Sequence, residues 1–184
     1  AEVERILNSP KIRKPRILAF FREFFGYDSA SDVFKDVELF PNHEAKVLVT
    51  DTDQLVLHLY EQDEDVFRNL LTTNLTFVNF REQQQGKDPL KATGNKRVHE
   101  SYNLPPDWKW TPNQPVELPK SQRAGILTQP SWLVAHSDNF DNHAILRGKW
   151  IRERLLAGTI PDLPITVDAQ LPQDDTLTLR QRME

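Results

Sequence analysis

A chain of 184 residues suits one domain or two small ones, and 38% hydrophobic with 27% charged residues permits a packed core. The formal net charge of −4 gives no general attraction to nucleic acid, and no apolar run approaches the roughly 18 residues that span a bilayer. Thirteen prolines against six glycines point to long, stiff connections.

Ala1 to Leu7 reads as the tail of a helix, broken by Ser9-Pro10. Pro15 to Phe25 is the clearest helix of the first half. Proline suits a first helical position, and Ile17, Phe20, Phe21, Phe24 and Phe25 recur at i, i+3, i+4, i+7 and i+8. Gly26 terminates it. Ser31 to Asp36 is expected as a turn or half-helix. Asn42 to Gln62 follows Pro41 as a longer helix, with Leu48, Leu55, Val56 and Leu59 as its buried face. Asp51 and Asp53, two apart, do not share a helix face and are expected in solvent. His58 reads as a structural histidine. Asp63 to Leu71 makes a further short helix, and Thr72 to Phe80 tucks Leu75 and Phe77 against the bundle. Asn74-Leu75-Thr76 matches a glycosylation acceptor.

Glu82 to Gln122 is irregular and proline-rich. Trp108 and Trp110 alternate, so in an extended chain both indoles point the same way. Such a pair either holds a sugar ring or peptide, or clamps the long segment onto the helices.

Arg123 to Gly158 organises the rest. A turn is expected around Thr128, with Pro130 in the first turn of a short helix that ends near Ser137. Asn142 to Gly158 reads as one helix, with Asn142 as N-cap and Gly158 taking the left-handed closing conformation. Leu146, Trp150, Ile151 and Leu155 form its apolar face, surrounded by Arg147, Lys149, Arg152 and Arg154. Beyond it the chain is expected to be extended and broken by prolines, with Thr176 capping a last helix.

The candidate functional residues lie in the same stretch. His136, Asp138, Asp141 and His143 combine imidazole and carboxylate, as zinc or iron sites do. Their spacing matches no established ligand pattern, so the other reading is that they cap the helix and hold the turn before it. Ser137 beside His136 in sequence does not make a catalytic dyad. Arg123 and Arg147 can each grip a carboxylate through two parallel bonds. For Arg147 an internal partner, Asp138 or Asp141, is expected. No G-x-S-x-G elbow, phosphate loop or H-E-x-x-H is present.

The runs RAGILTQPSWLVAHS, LRGKWIRERLLAG, IPDLPITVDAQLP and TLRQRME resemble the large exported cytochrome c-like proteins of planctomycetes. Upstream, FFREFFGYD, VFKD and DVFRNLLTTNLTFVN resemble the domain that precedes them there. In that family the segment like TLRQRME leads into a Cys-x-x-Cys-His haem-attachment motif. The resemblance implies that this chain is a piece of a larger protein, that haem c belongs to the adjoining segment, and that the location is the periplasm or cell surface. With no cysteine, this chain cannot itself attach haem c covalently, and neither cofactor nor metal is expected in it. Met183 is the only methionine, and core packing or a frayed end accounts for it more readily than a haem axial ligand does.

The expected fold is mainly α: an irregular bundle of about five helices with a long Pro-rich insertion. The expected regions are a helical region 1–81, an irregular stretch 82–122 and a helical region 123–184. The expected function is a non-catalytic structural or docking region whose partner is the adjoining haem-bearing segment. The alternatives are part of a haem-dependent redox enzyme, and a glycan- or peptide-binding module built on Trp108 and Trp110.

Overall fold

Ser9-Pro10 starts the first long helix. In the computed structural model α1 (Glu2–Leu7) is followed at once by α2 (Pro10–Phe25), with Pro10 in its first turn and Gly26 left-handed at its end. The expected start at Pro15 is therefore corrected. Pro15 lies inside the helix, and it is Pro10 that takes the first turn, where a missing N–H costs nothing. The structure describes residues 2–7, 9–36, 38, 43–78, 114–139, 142–161, 176, 177 and 181. Trp108, Trp110, Asp141 and Met183 lie outside them, as do most of the irregular stretch and the region after Pro161.

The phenylalanine stripe of α2 points Phe21 and Phe25 into the core, with Ile17 and Phe24 half-buried and Phe20 exposed. A 3₁₀ turn (Tyr27–Asp32) carries the chain on, in place of the turn expected from Ser31. Helix α3 (Ala45–Gln62) is the central element and packs against α2, the 3₁₀ turn and α4 (Val66–Thr72). Asp63 and Asp65, both left-handed, make the link, so α4 begins three residues later than expected.

Leu48, Leu55, Val56 and Leu59 are buried as expected. Asp51, Thr52 and Asp53 are buried too, which corrects the expected place of Asp51 and Asp53 in solvent. Helical spacing explains why: Thr52 lies four after Leu48 and three before Leu55, and Asp53 sits likewise between Val49 and Val56. Asp53 takes two parallel bonds from the Arg22 guanidinium and a 2.7 Å bond from the Tyr27 hydroxyl. The bond to Asp53 pushes the Arg22 pKa up. Burial, then the Asp53 charge, holds the Tyr27 hydroxyl well above its ordinary value, so it stays a donor.

The chain then forms β1 (Leu75–Phe77), which pairs antiparallel with β2 (Pro115–Glu117) in the register Leu75–Glu117, Thr76–Val116 and Phe77–Pro115. No strand was expected within the stretch 82–122. Three residues with one apolar side chain facing in are too short a pattern to read from sequence. The Asn74 amide donates to the Leu118 carbonyl at 2.9 Å beside this ladder.

A second 3₁₀ turn (Ile126–Thr128) leads into α5 (Pro130–Ala135), with Pro130 in the first turn as expected. Helix α5 packs on α3 and on the Tyr27–Asp32 turn, so Ile126 and Trp132 join the same core as Phe25, Leu55 and Leu70. Two buried polar links tie it down. The Ser131 and Thr52 hydroxyls meet at 2.6 Å, and Gln129 accepts from Thr76 at 2.7 Å while donating to the Leu75 carbonyl at 2.8 Å. Helix α6 (Ala144–Trp150) passes into a π turn (Ile151–Leu155), where the Leu156 N–H bonds back to the Ile151 carbonyl.

Gly125 has φ +66 and ψ −176, a region open essentially to glycine alone, and an added Cβ would collide with the Leu71 backbone. Gly125→Ala is expected to destabilise by about 2–4 kcal/mol. Gly148→Ala, with nothing near its Cβ, should gain up to about 1 kcal/mol of helix preference. Asp53→Asn leaves Arg22 without its counter-charge and should cost about 2–3 kcal/mol, less than a fully buried pair because Arg22 is partly exposed. Urea melts of the three variants check these values.

Candidate functional site

Of the candidate residues, His136 and Trp150 meet where α5 and α6 close over Phe24 and Phe25. Trp132 of α5 is fully buried, and its indole stacks on the His136 ring at 4.3 Å. Trp150 of α6 meets Trp132 edge-on at 5.6 Å and lies over Phe25 at 5.8 Å. The result is an aromatic box in which His136 is one wall.

Helix α6 and the turn after it keep the expected face except at Leu146. The inward side carries Ala144, Arg147, Trp150 and Ile151, whereas Leu146 is 44% exposed and Ile145 52%. Trp150 is half-buried, as are Ile151 and Leu155. The N-cap is His143, not Asn142: the His143 Nδ1 accepts from the Leu146 N–H at 3.2 Å. Asn142 instead bridges to Ser137 across the turn. The closing left-handed residue is Ala157, one before Gly158, because the π turn has already shifted the chain end.

The turn is held by local bonds. Ser137 Oγ donates to the Val134 carbonyl at 2.7 Å, finishing α5, and Lys35 Nζ donates to the Asp138 carbonyl. Arg123 donates to the Thr128 carbonyl at 3.1 Å, so its partner is backbone and not a carboxylate. Among the described residues no three His, Asp or Glu side chains converge on a metal-sized space. His136 and His143 are both occupied structurally. The His136 Nδ1 lies 3.0 Å from the Trp132 carbonyl, so it carries the proton there in the neutral ring.

For Arg147 the expected ion pair with Asp138 is not formed, the other expected partner, Asp141, lies outside the described residues, and the Arg147 Nε is buried with no hydrogen-bond partner. Burial pushes its pKa down. Arg147 shares the half-buried side of α6 with Ala144 and Trp150. The Trp132 Nε1 is likewise buried without an acceptor. The open pocket of about 600 Å³ lined by Phe34, Lys35, His43 and Lys46 lies elsewhere, beside the first 3₁₀ turn.

The two ends of the chain match two families in succession. Residues 1–84 match PSD4, described as a protein of unknown function (DUF1592), and residues 123–184 match PSCyt3, described as a protein of unknown function (DUF1588). No curated protein and no solved structure matches the chain. The chain thus joins similarity to two domains of unknown function whose short names point to cytochrome-like proteins.

His136 has a lowered pKa, chiefly because burial disfavours its charged form, with the nearby Arg147 charge adding to that. Folding therefore favours neutral His136. The stability this contributes is complete above the ordinary value of 6.5 and is lost as pH falls from there towards the lower folded value. His136→Gln is expected to flatten the fall in unfolding free energy between about pH 7 and pH 5.5. Urea melts at both pH values check it; a pH-independent difference between variant and wild type would count against the assignment.

Proposed function

We propose that this chain is a non-catalytic structural and docking region of a larger, exported cytochrome c-like protein, and that its partner is the adjoining haem-bearing segment. The observation that carries this reading is the outer face of α6 and the π turn, inside the segment matched by PSCyt3. Ile145, Leu146 and Leu156 are exposed there beside Lys149, Arg152 and Arg154. Grouped apolar side chains rimmed by charge are characteristic of surfaces that receive a protein partner. The inner side of the same helix is fixed through Trp150 to a core shared by both matched segments, so the face is presented on a rigid support.

The haem itself finds no covalent anchor here, since a thioether link needs cysteine and the chain has none. No helix among the described residues is long and apolar enough to cross a membrane. A periplasmic or cell-surface location follows from the kinship proposed.

The full-length protein carrying the haem motif provides the test. Leu146→Asp with Leu156→Asp is expected to leave the haem absorption spectrum unchanged and to release the haem segment after limited proteolysis, whereas the wild-type fragments should co-elute. Co-elution undiminished in the double variant would overturn the docking face. Loss of redox turnover in an assembled Arg147→Met protein would instead favour the redox-enzyme reading.

A further inference from the structure

We propose that the surface made by α3, the end of α4 and β1 is a recognition site for the segment from Pro115 to Trp150. It holds that segment without a covalent link, and so accepts it from a second copy of the chain as well as from its own. The inference does not rest on the docking face, whose side chains Ile145, Leu146 and Leu156 point away from this contact into solvent.

The bonds across the contact are specific. The Leu118 N–H donates to the Asn74 carbonyl at 2.9 Å, and the Asn74 amide donates to the Leu118 carbonyl at 2.9 Å. The Gly125 N–H donates to the Thr73 carbonyl at 2.5 Å, where the backbone of Leu71 leaves no room for a Cβ. Deeper in, Thr52 meets Ser131 at 2.6 Å and Thr76 donates to Gln129 at 2.7 Å. These four side chains are at most 2% exposed, so a misplaced segment would leave each without a partner and without water. Every partner in these bonds lies outside residues 79–113, so a cut within that stretch breaks none of them.

Neither side closes a core alone. Phe25, Leu55 and Leu70 lie on one side and Ile126 and Trp132 on the other, all in one cluster and at most 1% exposed. The helices of the second side, α5 with 6 residues and α6 with 7, are far shorter than the roughly 12–15 residues that an isolated helix needs in water. The segment therefore takes its structure from the surface it docks on. In an ordinary domain the folded form outnumbers the unfolded by about a thousandfold or more. A connecting chain supplies an effective concentration of at most about 1 mM. Without it, the two pieces should form a pair with a dissociation constant of about 1 µM or tighter.

The test starts from the full chain with a protease recognition sequence inserted between Gly94 and Asn95. All four tryptophans fall in the second piece, so their fluorescence follows its docking. After cleavage the pieces are expected to co-elute as a one-to-one pair at about 10 µM, to separate in urea and to pair again on dilution. One preparation carries an affinity tag on residues 1–94, and the other is isotopically heavy. Unfolded together and refolded, the tagged piece should retain the heavy residues 95–184 of the other copy, as read by mass spectrometry.

Gln129→Leu strands the Thr76 hydroxyl and the Leu75 carbonyl and should weaken pairing about tenfold or more. Ser131→Ala should weaken it less, because Thr52 keeps its bond to the Leu48 carbonyl. Exposed Lys120 is the control, and Lys120→Ala should pair as the wild type does. Helix content of each uncleaved variant is measured alongside, and Ser131→Ala carries the comparison where Gln129→Leu does not fold. The proposal is overturned if the cleaved pieces separate or aggregate, if no heavy piece joins the tagged one, or if Lys120→Ala weakens pairing as much as the two interface variants do.

Discussion

The carboxylate of Asp53 is the point from which the arrangement of helices follows. It is buried on α3 and takes donors from Arg22 near the end of α2 and from Tyr27 in the turn after it. That fixes the angle at which α2 leaves α3 and places the Tyr27–Asp32 turn where α5 packs. A buried carboxylate is tolerable only when its lone pairs are met, so these three groups are bound to one geometry. The core of Phe25, Leu55, Leu70 and Trp132 closes around it.

The second half of the chain is joined to the first by polar bonds as much as by apolar contact. Ser131 meets Thr52, and Gln129 meets both Thr76 and the Leu75 carbonyl, all out of water. Each such bond contributes only about 1 kcal/mol net, but breaking one side leaves an unpaired group whose cost is larger. Apolar packing permits sliding, whereas these bonds set a single register for α5 against α3. The segments matched by two separate families therefore meet with their relative position specified.

Much of the helical framework was legible in the sequence. The stripe from Ile17 to Phe25, the buried face of α3 and the place of Pro130 each rest on periodicity or on proline's fixed geometry, which act locally. The polar core was not read, although it had a signal: Asp51, Thr52 and Asp53 fall inside the apolar stripe of α3, with Leu48 and Val49 before and Leu55 and Val56 after. Their partners, Arg22 and Ser131, are distant in sequence, and distance hides the compensation that permits burial. In the candidate cluster the N-cap differs from the expected one and the expected Arg147–Asp138 pair is not formed, while Asp141 lies outside the described residues. Asn142 gave way to His143 because a ring nitrogen also accepts an N–H, and Arg147 shares the half-buried side of α6 with Trp150 while Leu146 is exposed.

The small ladder between Leu75–Phe77 and Pro115–Glu117 has an architectural effect larger than its size. It brings the two ends of everything between Phe77 and Pro115 side by side and ties them to the core through Thr76 and Gln129. The entropy lost on closing a loop grows only with the logarithm of its length. A stem clamped in this way lets residues be added to or removed from the intervening segment at little thermodynamic expense to the helices. The fold thus contains a port at which the intervening segment can change in length while the helical scaffold that carries Trp150 is kept.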